Sequence, residues 1–248
     1  MRWIENIGRF VFGAECLGCG KPSKKLDPWL CPECVAELER ESTVDLSPGP
    51  DAYSLFPMRP LTRKLVHALK YKGVSGMATY LVKHSSSIRC GIVREDLSML
   101  PKPLYFVPVP LHRARFRERG YNQAEKIAAA LAVVFGGKVC RWLRRRTFVV
   151  SQTKLSKEQR ERNVAYAFEC TLKEVPVSGT VVVVDDVFTT GATTSACLAA
   201  FGKNFPLPVK VCTLLYDEPA SAVADFAADN QMDWDYNSDF RVQNSEFK

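Results

Sequence analysis

One stretch of the sequence, VVVVDDVFTTGATT from Val181 to Thr194, constrains the fold more than any other. Its four consecutive valines predict a strand that is buried on both faces, as in a parallel sheet. Two carboxylates, Asp185 and Asp186, follow the valines, and the segment then runs through threonines and a single glycine. We therefore expect a buried strand, a tight turn and a helix, which together form a natural ligand site at the carboxyl edge of a sheet.

The rest of the sequence alternates between strand and helix patterns. Strands are predicted at residues 53–56, 105–110, 138–143, 164–168, 180–186 and 209–216. Helices are predicted at residues 3–11, 61–69, 77–82, 124–135 and 193–201. Gly136 and Gly137 can end the 124–135 helix through a left-handed cap, and residues 111–120 and 144–163 are interpreted as basic, polar loops. Valine-rich strands separated by helices indicate an α/β fold with a mostly parallel sheet flanked by helices.

Four of the nine cysteines form two C-x-x-C pairs, Cys16 with Cys19 and Cys31 with Cys34, separated by eleven residues. Thiolates at this spacing, each next to a turn residue, predict a tetrahedral zinc site. Because so short a segment has little core of its own, the metal would supply its folding energy. The alternatives are cysteines that merely pack and a redox pair, and the lack of a βαβ context argues against the redox pair.

Charge is spread unevenly over the chain, whose formal net charge is +7. Residues 113–162 contain 14 basic and 4 acidic residues, whereas residues 217–248 contain eight acidic and two basic ones. The basic block implies an anionic partner, either a phosphorylated small molecule or nucleic acid, with a solvated charged face as the plain alternative. The acidic end is interpreted as a partly helical or disordered extension.

The hydropathy of the sequence indicates its cellular location. No apolar run approaches the roughly 20 residues that a membrane-spanning helix needs. The apolar residues of the first segment, among them Trp3, Ile7 and Phe10, have helical spacing and polar neighbours, unlike the unbroken apolar core of a signal peptide. We expect a cytoplasmic protein without a membrane span.

The turn after the valine strand has the composition of a phosphate site. We expect it to be formed by Thr189, Thr190, Gly191, Ala192 and Thr193. The free N–H groups and the positive dipole at the start of a helix suit a phosphate, and the missing Walker lysine excludes an NTP-hydrolysing P-loop. Asp185 and Asp186 would accept hydrogen bonds from vicinal ribose hydroxyls, with a divalent cation moderating the nearby negative charge. A phosphorylated pentose presents both groups.

These motifs, in this order along the chain, resemble those of ComF-type proteins, which are zinc-bearing, phosphoribosyltransferase-like proteins linked to DNA uptake in competent bacteria. The resemblance is carried by the two C-x-x-C pairs, LKYKG at 69–73, VPVPLHRARFRERGYNQ at 107–123, Q-x-x-L…R-x-x-N at 152–163, and VVVVDDVFTTGATT. The last of these is similar to the phosphoribosyl-pyrophosphate (PRPP) signature of type I phosphoribosyltransferases. The resemblance covers about residues 16–216 and implies a type I phosphoribosyltransferase-like fold with a small N-terminal zinc-binding module.

The resemblance also implies roles for single residues. Asp185 and Asp186 would hold the ribose hydroxyls of PRPP, and residues 189–193 its 5′-phosphate. The loop from Pro110 to Arg113 lies where the family places its pyrophosphate loop. The R-G-[FY]-N-Q step and the mobile catalytic loop are matched by Arg119, Gly120, Asn122, Gln123, Gln152, Arg160 and Asn163. The plain alternatives are that Asn122 caps its helix and that the arginines of the loop are only solvated.

The same resemblance divides the chain into parts. Residues 1–45 would form the N-terminal helix and zinc module, 46–100 a linker and hood that selects the acceptor, and 101–216 the phosphoribosyltransferase-like domain. Residues 217–248, the acidic extension, match nothing in the family pattern.

Three functions remain open on these grounds. In the first, the protein binds PRPP with Mg²⁺ and acts in DNA uptake. In the second, a nitrogen nucleophile displaces pyrophosphate from PRPP through an oxocarbenium-like transition state, with Asp185, Asp186, Arg113 and Arg160 as the catalytic residues. In the third, the protein is a non-catalytic adaptor that binds single-stranded DNA beside a DNA-translocation protein, or senses PRPP. The sequence does not indicate an oligomeric state.

Overall fold

A computed structural model of the protein describes residues 14–42, 46–49, 51–146 and 167–217. Three groups of predicted features lie outside the described residues: the helix at 3–11, the loop residues Gln152, Arg160 and Asn163, and the acidic extension beyond residue 217. Within the described ranges, no helix combines the length and the apolar character that a membrane crossing would need.

The described elements follow in chain order. The strands are β1 (Ala14–Glu15), β2 (Pro22–Ser23), β3 (Leu46–Gly49), β4 (Ala52–Pro57), β5 (Leu104–Pro108), β6 (Lys138–Val139), β7 (Leu143–Arg145), β8 (Phe168–Cys170), β9 (Thr180–Phe188) and β10 (Val209–Tyr216). The helices are α1 (Pro32–Glu41), α2 (Pro60–Tyr71), α3 (Met77–His84), α4 (Ser86–Arg89), α5 (Ile92–Met99), α6 (Arg113–Arg119), α7 (Gln123–Phe135) and α8 (Ala192–Phe201).

The central sheet has six strands in the order β3-β4-β10-β9-β5-β6. All neighbouring strands are parallel except the edge pair β3 and β4. The chain moves from β5 to β6 in one direction across the sheet and from β9 to β10 in the other. The crevice between β5 and β9 is therefore a topological switch point, the place where open α/β sheets bind their ligands.

The valine run lies at the centre of this sheet. Val182 and Val184 pack on the face that carries α2, α3 and α7, while Val181 and Val183 pack on the face that carries α8 and the antiparallel pair of β7 and β8. All four valines are fully buried, and each contributes about 1.5–3 kcal/mol to the hydrophobic driving force. The predicted α/β architecture with a mostly parallel sheet between helices is confirmed.

Helix ends explain why α7 begins and stops where the sequence predicted. The Asn122 side chain accepts a hydrogen bond from the Ala124 N–H at 3.0 Å, and its amide donates to the Val109 carbonyl at 2.9 Å. Gly136 ends the helix in the left-handed region, with a φ of 70°. Asn122 therefore caps its helix and also ties that helix to the loop that follows β5.

Several predicted boundaries were wrong. The strand predicted at 105–110 ends at Pro108, and the strand predicted at 180–186 continues to Phe188. The stretch predicted as one strand at 138–143 is divided between two sheets: its first two residues pair with β5, whereas β7 forms a separate antiparallel pair with β8. Most of the strand predicted at 164–168 lies outside the described residues, and strand β8 begins at Phe168.

The basic span 111–120, predicted as a loop, contains helix α6. His112 caps it through a hydrogen bond from the Ala114 N–H to Nδ1 at 3.2 Å, and Gly120 ends it with a φ of 77°. None of the residues of α6 is buried. The helix therefore lacks the apolar periodicity from which a helix is predicted in a sequence.

Candidate functional site

Two sites can be built from the described residues, and the first is the cysteine cluster. The Sγ atoms of Cys16, Cys19, Cys31 and Cys34 all lie within 4.8 Å of one another, with 3.8 Å between those of Cys19 and Cys31. Tetrahedral coordination with Zn–S bonds of about 2.3 Å places neighbouring sulfurs roughly 3.8 Å apart. All four cysteines are free thiols, so the cluster fits a structural metal such as zinc.

Local geometry favours the thiolate form of one of these cysteines, Cys16. The backbone N–H of Cys31, the residue just before helix α1, donates to the Sγ of Cys16 at 3.3 Å. Burial raises the pKa of Cys16, but hydrogen bonds from the backbone at Cys31, Cys19 and Gly18 outweigh it and lower that pKa to about 7. A thiolate is thus accessible at neutral pH, which is the form that binds a metal.

Gly18 lets the metal loop approach helix α2. A Cβ at this position would lie 2.7 Å from Leu61 Cδ1 and 2.9 Å from Cys34 Sγ, so no larger residue fits. The Nζ of Lys64, one turn along α2, donates to the Gly18 carbonyl at 2.7 Å. The cysteine module is therefore fixed directly to the helix that leads to the second site.

The second site lies at the carboxyl end of β9. Asp186 shares a face with Val184, is only 5 % exposed, and its Oδ1 lies 3.0 Å from the Nζ of Lys70. Its Oδ2 is buried and has no hydrogen-bond partner among the described residues. Asp185 lies on the opposite face, where its Oδ1 accepts a hydrogen bond from the Asp186 N–H at 2.8 Å. The paired carboxylates therefore differ in both partner and surroundings.

Charge around Asp185 is poorly compensated. Burial and the negative charge of Asp186 raise the pKa of Asp185 to about 7, against smaller opposing effects from a backbone hydrogen bond at Asp186 and from Lys70. A cation or a hydrogen-bond donor that reached this carboxyl would favour its ionised form. A shifted pKa of this kind at the edge of a sheet is typical of binding sites.

The turn after β9 has the predicted form. Gly191 adopts a φ of 73°, and a Cβ there would lie 2.9 Å from Cζ of Phe188, so glycine is required on both counts. The N-cap residue of α8 is Gly191, which has no side chain to cap the helix, and the Ala192 N–H donates a long hydrogen bond of 3.5 Å to the Thr190 hydroxyl. Four residues around this helix start are exposed to solvent: Thr189, Thr190, Ala192 and Thr193. The arrangement can accept an anion on free backbone N–H groups.

The end of helix α2 joins the predicted motifs to one another. Leu69, Lys70 and Tyr71 are consecutive, and each meets a different partner. The carbonyl of Leu69 accepts a hydrogen bond from the Tyr121 hydroxyl, and Lys70 pairs with Asp186. The Arg119 guanidinium lies 4.8 Å from the centroid of the Tyr71 ring. Sequence reasoning assigned no role to Lys70, although its place in the LKYKG step was a signal that could have pointed to it.

The remaining predicted residues divide between two surroundings. Pro110, Arg113 and Asn122 line one cavity of about 490 Å³. Arg119 is turned away from that cavity toward Tyr71. The loop after β5 begins beside the carboxylates, since the Val109 N–H donates to the Val184 carbonyl at 2.9 Å. Gln152 and Arg160 lie outside the described residues.

Fold and site together define a class: an α/β protein with a carboxylate-bearing crevice at the switch point of its sheet and a four-cysteine module. No family model matches the chain. The chain is 30% identical over 207 residues to DNA utilization protein YhgH of Salmonella typhi, covering 82% of this chain and 79% of the relative. It is also 30% identical over 205 residues to DNA utilization protein YhgH of Escherichia coli (strain K12), covering 80% and 77%.

The chain belongs to the family of DNA utilization protein YhgH. Membership of a family named for DNA agrees with the coarser part of the resemblance described above. The narrower ComF-type assignment, the type I phosphoribosyltransferase-like fold and the four-part division of the chain stay predictions.

The cysteine cluster yields a direct test. Cys16→Ser with Cys31→Ser should remove about one zinc per chain, and it should destabilise the N-terminal module by several kcal/mol because metal binding drives folding there. Metal analysis of freshly prepared, reduced protein measures the first effect and thermal unfolding the second. Cys90→Ser, an exposed cysteine away from the cluster, serves as the control and should keep its zinc. Wild-type protein that contains no zinc would contradict the assignment.

The raised pKa of Asp185 predicts a pH effect on stability. The folded state holds its proton up to about pH 7, whereas the ordinary pKa is 3.8, so folding takes up a proton between these values. The free energy of unfolding therefore falls as pH rises through this window. Asp185→Asn should remove about 1–3 kcal/mol of that fall. Chemical denaturation of both proteins at pH 4.5 and pH 8 measures the difference, and parallel pH profiles would count against the effect.

Proposed function

We propose that the chain binds a phosphoribosyl ligand, PRPP with Mg²⁺, in the crevice between β5 and β9, and that it acts in DNA utilization as its relatives' name states. The observation that carries this proposal is the buried carboxylate of Asp186, which pairs with Lys70 through one oxygen and has no partner for the other among the described residues, five positions before the N-cap residue of α8. A polar atom left unpaired in the interior costs about 1–3 kcal/mol, so its retention points to a ligand.

Each part of the ligand has a chemical counterpart in the crevice. The unpartnered Oδ2 of Asp186 would accept a hydrogen bond from a ribose hydroxyl, and Asp185 would accept a second one. The 5′-phosphate would lie on the backbone N–H groups that begin α8, with the hydroxyls of Thr189 and Thr190 as further donors. The pyrophosphate would lie against the loop from Pro110 to Arg113, which begins where β5 and β9 part.

The residues present fit a divalent cation held between ligand and protein. Carboxylate oxygens are the donors that Mg²⁺ prefers, and the raised pKa of Asp185 leaves room for a cation to favour its ionisation. Mg²⁺, when bound, would neutralise the charge of the pyrophosphate. Lys70 supplies one fixed positive charge to Asp186 and orients that carboxylate whether or not a cation is present.

The same site would serve phosphoribosyl transfer, the enzymatic form of this function. A nitrogen nucleophile would displace pyrophosphate from the anomeric carbon, and Asp185 and Asp186 would hold the ribose while positive charge develops on it. Arg113, at the cavity beside the loop, would meet the negative charge of the leaving group. For Arg160, which lies outside the described residues, the same role toward the leaving group is implied only by the resemblance to ComF-type proteins. PRPP binding itself does not require turnover.

Ligand affinity tests the proposal. Asp185→Asn with Asp186→Asn should weaken Mg-dependent PRPP binding by at least about 100-fold, equivalent to about 2.7 kcal/mol, because both carboxylate acceptors are lost. Lys70→Met should weaken binding less, since it removes the support of Asp186 alone. Isothermal titration calorimetry measures each affinity. Asp51→Asn, which breaks an exposed ion pair with Lys210 at another part of the sheet, is the matched control. Unchanged affinity in a folded, zinc-loaded double variant would refute the site.

A second candidate function, binding of single-stranded DNA, is favoured by the exposed face of α6. Arg113 and Arg117 line the 490 Å³ cavity and form no ion pair among the described residues, and Phe116 between them is 49 % exposed. Arginines that track phosphates and an aromatic ring that stacks on bases are the two components of single-strand binding. In contrast, Arg141 at the same cavity is already paired with Glu125.

Salt dependence tests this second function. Arg113→Ala with Arg117→Ala should weaken binding of a short single-stranded DNA and should reduce the slope of log affinity against log salt by roughly 1.4, about 0.7 for each lost phosphate contact. Fluorescence anisotropy at several salt concentrations provides the measurement. The control, Lys83→Ala with Arg89→Ala, removes the same charge from a different surface. Equal slopes for both double variants would show that only net charge matters.

A further inference from the structure

The structure contains a second groove to which none of the functions proposed above has been assigned. It has a volume of about 400 Å³ on the face that carries α8. Apolar side chains dominate its lining: Phe188, Leu198, Phe201, Phe205, Val209 and Val211. A concave apolar surface of this kind usually binds a hydrophobic ligand or peptide segment.

The chain leaves the described fold at the edge of this groove. Strand β10 ends at Tyr216, and the backbone N–H of Asp217 donates to the Phe188 carbonyl at 2.9 Å. The rings of Phe188 and Tyr216 pack edge to face, with centroids 5.9 Å apart. Because Phe188 lines the groove, Asp217, the last residue of this described range, lies beside it.

The sequence beyond this point is both aromatic and acidic. Residues 218–248 contain seven acidic and two basic residues. Their aromatic residues are Phe226, Trp234, Tyr236, Phe240 and Phe247. The lining contains one basic side chain, Lys203, which forms no ion pair among the described residues, and one acidic side chain, Asp51, which is paired with Lys210. The aromatic residues of the segment therefore match the apolar lining, and its acids match the one unpaired cation.

We propose that this groove is the docking site of the chain's own C-terminal segment, residues 218–248. In this arrangement, aromatic side chains of the segment would fill the groove and a carboxylate would pair with Lys203. Since ten extended residues span at most about 33–36 Å, the segment reaches the whole groove from residue 217. Its tethering also gives it an effective concentration on the order of millimolar, which favours it over a separate partner of the same chemistry.

Hydrogen exchange of the full chain, read by mass spectrometry, tests the proposal. Peptides from 218–248 should be protected in the wild-type protein. Leu198→Glu, which places a charge among the apolar side chains of the groove, should raise their exchange rates about tenfold or more. Val133→Glu changes an apolar residue that is 85 % exposed on α7, and it should leave the exchange rates unchanged. Exchange of the wild-type segment at the rate of an unstructured peptide would overturn the proposal.

A change in the segment itself gives an independent test. Trp234→Ala leaves every groove residue in place and should raise the exchange rates in the same way as Leu198→Glu. Exchange unaffected by Trp234→Ala and by a second variant, Phe226→Ala, would overturn the aromatic contact. Protection that is lost on dilution, together with a dimer mass in light scattering, would assign the groove to a second copy and would also overturn the proposal.

Discussion

The ion pair between Lys70 and Asp186 is the interaction on which the rest of the site depends. Its carboxylate lies inside the fold at the end of the central strand, where a lone charge would cost several kcal/mol. Lys70 comes from the last turn of α2 and satisfies one oxygen, which fixes that helix against β9. The other oxygen stays without a partner among the described residues, so this interaction both stabilises the fold and leaves an acceptor for something else.

Strand order explains why the groups at this edge meet. Because β9 lies between β5 and β10, the loops that leave β5 and β9 open on either side of one crevice. Gly191 lets the turn after β9 pack on Phe188, whose ring also faces the apolar groove behind it. One aromatic side chain therefore contacts the candidate phosphate turn on one side and the surface beside the chain's exit on the other.

Much of the secondary structure could be predicted from local sequence patterns, whereas the long-range contacts could not. The valine run, strand 209–216 and the cap at Gly136 were predictable because burial, β-branching and glycine conformation act within a few residues. The cysteine spacing likewise indicated the cluster. Helix α6 has no buried face, so no apolar pattern predicted it. The separation of β6 from β7 depends on pairing with β5 and β8, which are distant in sequence, so it could not be predicted either. The contact of Lys70 with Asp186 joins residues 116 positions apart, a distance that spacing alone does not encode.

Helix α2 connects the two sites as a single rigid element. At its first turns Leu61 packs on the metal loop at Gly18 and Lys64 bonds to that loop, while its last residues hold Asp186 and Arg119. A helix of twelve residues is about 18 Å long, so the cysteine cluster and the carboxylate crevice lie near opposite ends of α2. The cysteine module thus supports the helix that positions Lys70, which gives the cysteines a structural part in the candidate ligand site.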